Sequence, residues 1–274
     1  LSFLDFLYAK HTYATQLLCT IPLLLKEPVI TWNEAYHPIL KRNLQKENKK
    51  PNALSIKIDE ENRIVVLSGP NAGGKSIAMK TIALNQYMIQ CGIPVPLGVN
   101  SSSGIFTKMF IDIGDDQSVE ANLSTYSSHL TSMNYFIKHA NEKTLLFIDE
   151  FGTGTDPSIG GAIAEVILER LLALKAMGMI TTHYSNLKNL AGRSKGLVNA
   201  AMLFEKEQLK PLYQFEMGIP GSSFTFEVAT TIGLDKKILK EAKNRLGKRA
   251  KQTEELLIEL ENTKAIISQS KKAV

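Results

Sequence analysis

Gly69, Gly74, Lys75 and Ser76 stand at the G-x-x-x-x-G-K-[ST] spacing, within Gly69-Pro70-Asn71-Ala72-Gly73-Gly74-Lys75-Ser76. That spacing belongs to a loop that cradles phosphates between a buried strand and a helix. Glycines let successive backbone N–H groups turn inward, because they adopt positive φ at little cost. A helix starting at the loop's end aims its positive terminus at the same point. Lys75 adds a formal charge at the β- and γ-phosphates of a nucleoside triphosphate, and the Ser76 hydroxyl is a ligand for Mg²⁺. The bland alternative, a chance glycine turn, is disfavoured by the apolar strand Ile64-Val65-Val66-Leu67 before the loop and the helical pattern after it.

A second group of residues answers the first. Thr144-Leu145-Leu146-Phe147-Ile148 is a short apolar run that ends in Asp149-Glu150. In P-loop enzymes an aspartate at such a strand end holds Mg²⁺ together with the loop serine. The next carboxylate, Glu150, is placed to orient or deprotonate the attacking water. His183 follows a further expected strand, 177–182, so it belongs at the phosphate edge of the sheet, where a histidine can sense the γ-phosphate; a structural histidine is the competing reading. Ser124-Thr125 opens a helical pattern running to about residue 140. It reads as a simple N-cap or as a helix end aimed at a γ-phosphate, and the sequence alone leaves both open.

The elements around these residues read as alternating strands and helices. Residues 2–25 carry apolar side chains at helical spacing, punctuated by Pro22 and Pro28. A polar, basic loop follows over 41–52, then an alternating strand at Leu54, Ile56 and Ile58. Helices are expected over 76–90, 124–140, 160–175 and 224–232. A glycine- and serine-rich loop is expected over 98–104, a strand over 109–113, and a hairpin over 199–204 and 211–216. The 274 residues suffice for one good core, and the apolar and charged fractions are those of a soluble globular protein. No apolar run approaches the roughly 20 residues of a membrane span. No signal peptide is evident, and Cys19 and Cys91 read as buried free thiols in a reducing cytoplasm. The chain opens on Leu1, which suggests a piece of something longer.

The net charge of +5 is mild, but its distribution is not. From Lys236 to Lys251 eight lysines and arginines face Glu241 alone, on a broken heptad of Leu239, Ala242, Leu246, Leu256 and Leu260. A solvated helix and a basic patch touching a polyanion are both consistent with that pattern.

Taken together, four motifs resemble those of the MutS family of ABC-type ATPases: the loop 69–76, Ser124-Thr125-Tyr126, Asp149-Glu150-Phe151-Gly152-Thr153-Gly154-Thr155 and Thr181-Thr182-His183-Tyr184. Their order and spacing match, and the resemblance covers residues from Leu4-Asp5-Phe6 to about Leu234. Within the family, Ile113-Gly114-Asp115-Asp116-Gln117-Ser118, Gly154-Thr155-Asp156-Pro157 and Ile219-Pro220-Gly221-Ser222 resemble the "MutS two" branch. The mismatch-reading branch usually has Ser-Thr at the positions of Asp156-Pro157. The transporter signature Leu-Ser-Gly-Gly-Gln is absent, with Leu123-Ser124-Thr125-Tyr126-Ser127 in its place.

The resemblance implies an α/β P-loop fold with a mixed, mainly parallel sheet flanked by helices and extended by helices at both ends. It divides the chain into the end of a helical lever (1–27), the ATPase (28–235) and a basic helical extension (236–274). Gly69, Pro70, Asn71, Ala72, Gly73, Gly74, Lys75 and Ser76 would bind ATP, and Ser76 and Asp149 would hold Mg²⁺. Glu150 would act on water, and His183 would be a switch. Ser124 would reach the nucleotide of a second copy, so hydrolysis would require a homodimer with ATP at the interface. The adenine would pack near Tyr36-His37-Pro38, Pro51-Asn52 and Tyr213. Implied partners are mismatched or branched double-stranded DNA, in mismatch repair or control of recombination, or the stalled ribosome. The family's mismatch-reading region and the Smr nuclease domain of the "MutS two" branch have no counterpart in these residues.

Overall fold

The computed structural model describes residues 1–70, 73–114, 125–205, 210–245, 256–260 and 263. In chain order the elements are α1 (Ser2–Gln16), β1 (Leu23–Leu25), β2 (Ile30–Ala35), α2 (Pro38–Lys46), β3 (Leu54–Ile58), β4 (Asn62–Ser68), α3 (Lys75–Gln90), β5 (Ser102–Gly104) and β6 (Lys108–Asp112). They continue with α4 (Thr125–His139), β7 (Thr144–Ile148), α5 (Pro157–Ala173), β8 (Met177–Thr181), α6 (Ser185–Arg193), β9 (Gly196–Glu205), β10 (Lys210–Met217), α7 (Thr225–Thr231) and α8 (Lys236–Arg245).

The larger sheet has six strands in the order β10-β9-β4-β8-β7-β6. Every pairing in it is parallel except β10 on β9. This is the mixed, mainly parallel sheet flanked by helices that the sequence leads one to expect. Its middle strands read as unbroken apolar runs because both faces are covered. Val65 and Leu67 of β4 point to one side, against Ala78, Met79 and Ile82 of α3. Ile64 and Val66 point to the other, against Leu168 and Leu171 of α5 and Leu187 and Leu190 of α6. Successive side chains of a strand alternate in this way, so one short run serves two cores.

The smaller sheet, ordered β1-β5-β2-β3, covers the outer side of α3. Trp32 is fully buried there. Gln86 of α3 donates to the Gly104 carbonyl at 2.9 Å and accepts from the Ser103 hydroxyl at 2.6 Å, which fixes β5 on the helix.

Several expectations need correction here. The first helix ends at Gln16, and residues 23–25 form a strand beside β5 rather than more helix. The supposed loop after residue 40 is helical through Lys46, because Pro38 starts α2 and His37 caps it, Nδ1 accepting from the Leu40 N–H at 3.4 Å. The glycine- and serine-rich loop contains β5. Both cysteines are free, but Cys91 is exposed and Cys19 only half-buried.

Candidate functional site

The site is built at the carboxyl ends of β4, β8 and β7, which lie side by side. Leu67 pairs with Thr181, and Ile180 with Ile148. Open α/β sheets place ligands at this end.

From β4 the chain turns at Gly69, with φ +130°, and enters α3 through Gly74, whose φ of +92° only glycine adopts freely. Gly74 offers no side chain to cap the helix, and the start of α3 is the end of a helix that favours an anion. The Gly73 N–H closes a tight turn on the Pro70 carbonyl at 3.0 Å. Asn71 and Ala72 lie outside the described residues. Lys75 is buried, and its ammonium folds back to donate to the Gly69 carbonyl at 2.7 Å. Burial pushes its pKa down to about 8, with Glu150 and Asp149 pulling the other way. Ser76 follows in the first turn of α3, half-buried.

At the end of β7 the backbone N–H of Asp149 donates to the Asp112 carbonyl at 2.9 Å. The Thr181 hydroxyl is wedged between the two acidic residues: it accepts from the Glu150 N–H at 2.8 Å and donates to Asp149 Oδ1. Asp149 therefore has one oxygen held and the other left for a ligand. Glu150 sits at φ +49°, unusual for a residue with a side chain, and is exposed. Its strained turn is held by the Phe151 N–H donating to the Thr181 carbonyl, 2.8 Å, and the Thr153 N–H donating to the Glu150 carbonyl, 3.1 Å. His183 follows β8. Its pKa is lowered by partial burial first, then by Lys75 and Lys188, with Asp149 opposing. Lys75, Asp149, Glu150 and His183, four positions scattered along the sequence, thus lie in one electrostatic neighbourhood.

The remaining candidates are placed unevenly. Tyr213 sits at a bulge of β10 with φ +51°, and its ring lies over Gly74, 3.3 Å from where a Cβ would be. Asn52 reaches the same bulge, its amide donating to the Leu212 carbonyl at 3.1 Å. His37 caps α2 and has its pKa lowered by burial and by Lys80 of α3. Among the described residues no hydrogen bond or ring contact joins His37 to Tyr213. Ser124 lies outside the described residues, and α4 begins at Thr125.

Sequence reasoning missed two supports. One is Thr181, which stands inside a motif but has no role assigned to it. The other is the segment 218–223, which passes under the start of the phosphate loop. There the Gly221 N–H donates to Ser68 Oγ at 2.7 Å, and Lys188 of α6 donates to the Gly221 carbonyl at 2.9 Å. A Cβ on Gly221 would come within 2.6 Å of the Ser68 backbone, so the glycine permits the approach. The signal was present in Ile219-Pro220-Gly221-Ser222, but it points to its partner only once the fold is known.

Comparison with known proteins places this geometry in context. The family described as MutS domain V matches residues 65–249. A protein named Endonuclease MutS2 from Enterococcus faecalis is 39% identical over 259 residues, covering 94% of this chain and 32% of that protein. One of the same name from Clostridium kluyveri is 39% identical over 258 residues, with the same shares. One from Pediococcus pentosaceus is 41% identical over 243 residues, covering 89% of this chain and 30% of that protein. The chain thus spans about a third of the length of the curated relatives it matches.

Proposed function

The chain belongs to the MutS family, of which it carries the P-loop ATPase domain, and from that premise we propose that it is the ATP-hydrolysing motor of a dimeric nucleic-acid-binding protein. Its similarity is to proteins named MutS2, and it falls with that branch. The observation that supports a hydrolytic site is the convergence of Lys75, Asp149 and Glu150 where β4 and β7 end. Gly69 to Ser76 cradle the triphosphate, and Lys75 exchanges the Gly69 carbonyl for a phosphate oxygen. Glu150, lifted clear of the strand by its left-handed backbone, orients or deprotonates the attacking water. His183, kept neutral, reads the γ-phosphate. Tyr213 offers its ring to the adenine beside Gly74, and His37 flanks α3.

Asp149 and Ser76 suit Mg²⁺. Both are oxygen donors, and the Thr181 hydroxyl leaves one carboxylate oxygen for the ion. Among the described residues no group of three or more His, Cys, Asp or Glu side chains could enclose a metal. That fits a cation held by one or two carboxylates together with waters and phosphates. When bound, it neutralises charge on the β- and γ-phosphates.

In the proposed dimer the start of α4, with Ser124, completes the site of the partner subunit. The proposed organisation is a lever end at 1–27, the ATPase at 28–235 and a basic extension at 236–274. The partner is double-stranded DNA, mismatched or branched, in mismatch repair or control of recombination, and the setting is the cytoplasm. The exposed basic helix α8 also suits ribosomal RNA, so the same motor on stalled ribosomes is the second reading. Binding to branched DNA against copurification with ribosomes separates them.

The decisive experiment is Glu150→Gln. It should retain ATP binding while turnover falls by roughly 10²- to 10⁴-fold, and Lys75→Ala should lose nucleotide affinity. Turnover surviving in Glu150→Gln removes Glu150 as the base, and unchanged ATP binding in Lys75→Ala removes the loop as the phosphate site.

A further inference from the structure

Asp112, the last residue of β6, makes two bonds in different directions. Its carbonyl accepts from the backbone N–H of Asp149 at 2.9 Å. Its side chain meets α4, with Oδ2 2.7 Å from His129 Nδ1. Since a carboxylate only accepts, the ring nitrogen carries the hydrogen. Both side chains are partly shielded, 17% and 27% exposed, so water competes weakly for the bond.

The rest of α4 is held in a less directional way. Met133 and Phe136 sit in the apolar core, with Phe136 stacked on Phe110 at 4.9 Å. Apolar burial resists removal of the helix more than rotation or sliding along its axis. A hydrogen bond has a preferred length and angle, and so fixes both. His129 stands one turn beyond the start of α4, on the side that faces Phe151, Gly152 and Thr153, the turn following Glu150.

We propose that the Asp112–His129 pair is a positioning device, which sets the start of α4 in register with the Asp149–Glu150 end of β7. Through it, the end of α4 offered to the partner's nucleotide is aligned with the chain's own hydrolytic carboxylates. Neither side chain touches the reacting atoms. The inference rests on the dimeric ATPase reading above, and adds a part to it that no motif contains.

The test uses the dimeric protein. His129→Ala and Asp112→Ala should lower kcat by roughly ten- to a hundredfold, the scale of a small misplacement remote from the chemistry. The dissociation constant for ATP should stay within about twofold of the parent value, because the bonds given above for the pair reach none of the described residues of the phosphate loop. His129→Asn places an amide N–H near the lost Nδ1, and Asp112→Asn keeps an acceptor; both should recover most of kcat. His129→Gln keeps bulk and helix propensity but puts its amide at the Nε2 position, so it should behave like alanine, and it serves if His129→Ala does not fold.

Mixed dimers add direction. With Lys75→Ala on one chain and His129→Ala on the other, one intact site remains. With both changes on one chain, the only intact phosphate loop faces a misplaced helix, and turnover should be lower. Unchanged kcat in His129→Ala and His129→Gln overturns the inference. So does a fall in ATP affinity matching the fall in kcat, or mixed dimers that turn over equally. A parent protein that does not hydrolyse ATP overturns the motor reading instead, so the two failures are distinct.

Discussion

At the scale of single residues, Lys75 sets a pH dependence whose sign can be worked out. Burial holds its pKa near 8, against the ordinary 10.5. Bound phosphate favours the charged form and raises that value, so above about pH 8 ATP binding must take up a proton. Affinity for ATP should therefore fall as pH rises through about 8, and be flat below it as far as this group is concerned. Titrating a fluorescent ATP analogue from about pH 7 to 9.5 checks this. Lys75→Arg, charged throughout, should bind with a flatter profile even if more weakly. The same shift acts on folding in the opposite sense. The unfolded chain keeps the Lys75 proton up to about 10.5, so this group makes the folded domain more stable as pH rises from about 8 to 10.5. Lys75 could be proposed from sequence because the spacing of its own loop singles it out. Thr181 could not, because its partner Asp149 lies 32 residues away and only the pairing of β7 with β8 brings them together. A threonine ending a strand otherwise reads as plain strand propensity.

At the scale of elements, the phosphate loop depends on the segment that passes beneath it. Gly221→Ala would drive a methyl into the Ser68 backbone, which cannot move aside as a side chain would. It should cost about 1–3 kcal/mol in urea unfolding and weaken ATP binding by displacing Gly69. Unaltered stability and affinity would show that the contact is slack. Strands β4, β7 and β8 could be read from sequence because burial on both faces leaves an unbroken apolar run. Of the smaller sheet only β3 could, from the alternation of Leu54, Ile56 and Ile58. Residues 23–25 continue a helical pattern, and β2 is irregular between Trp32 and Ala35. Ser102-Ser103-Gly104 has little strand tendency of its own, and it is a strand because β1, β2 and the buried Gln86 hold it. His37-Pro38 has the look of a turn, yet proline at a first helical position starts a helix.

At the scale of the molecule, charge and anchoring meet in the C-terminal helices. Phe224, fully buried, packs with Phe204 of β9 and with Ile258, which ties the chain after β10 to the edge of the larger sheet. Beyond Phe224, Lys236, Lys240 and Lys243 form one exposed stripe of α8 at helical spacing. If they meet phosphates, replacing all three by alanine should flatten the salt dependence of DNA binding by about 2–3 in log–log slope, near 0.9 per lost contact. A slope unchanged by the substitutions removes α8 from the interface. No helix among the described residues is long and apolar enough to cross a membrane. The bond from Ser68 to Gly221 spans 153 residues. A ribosome adding about 5–20 residues per second needs roughly 8–30 s to cover that distance. The most recognisable motif of the chain is thus made early and supported late, and a nascent chain carries the phosphate loop for many seconds before the floor beneath it has been synthesised.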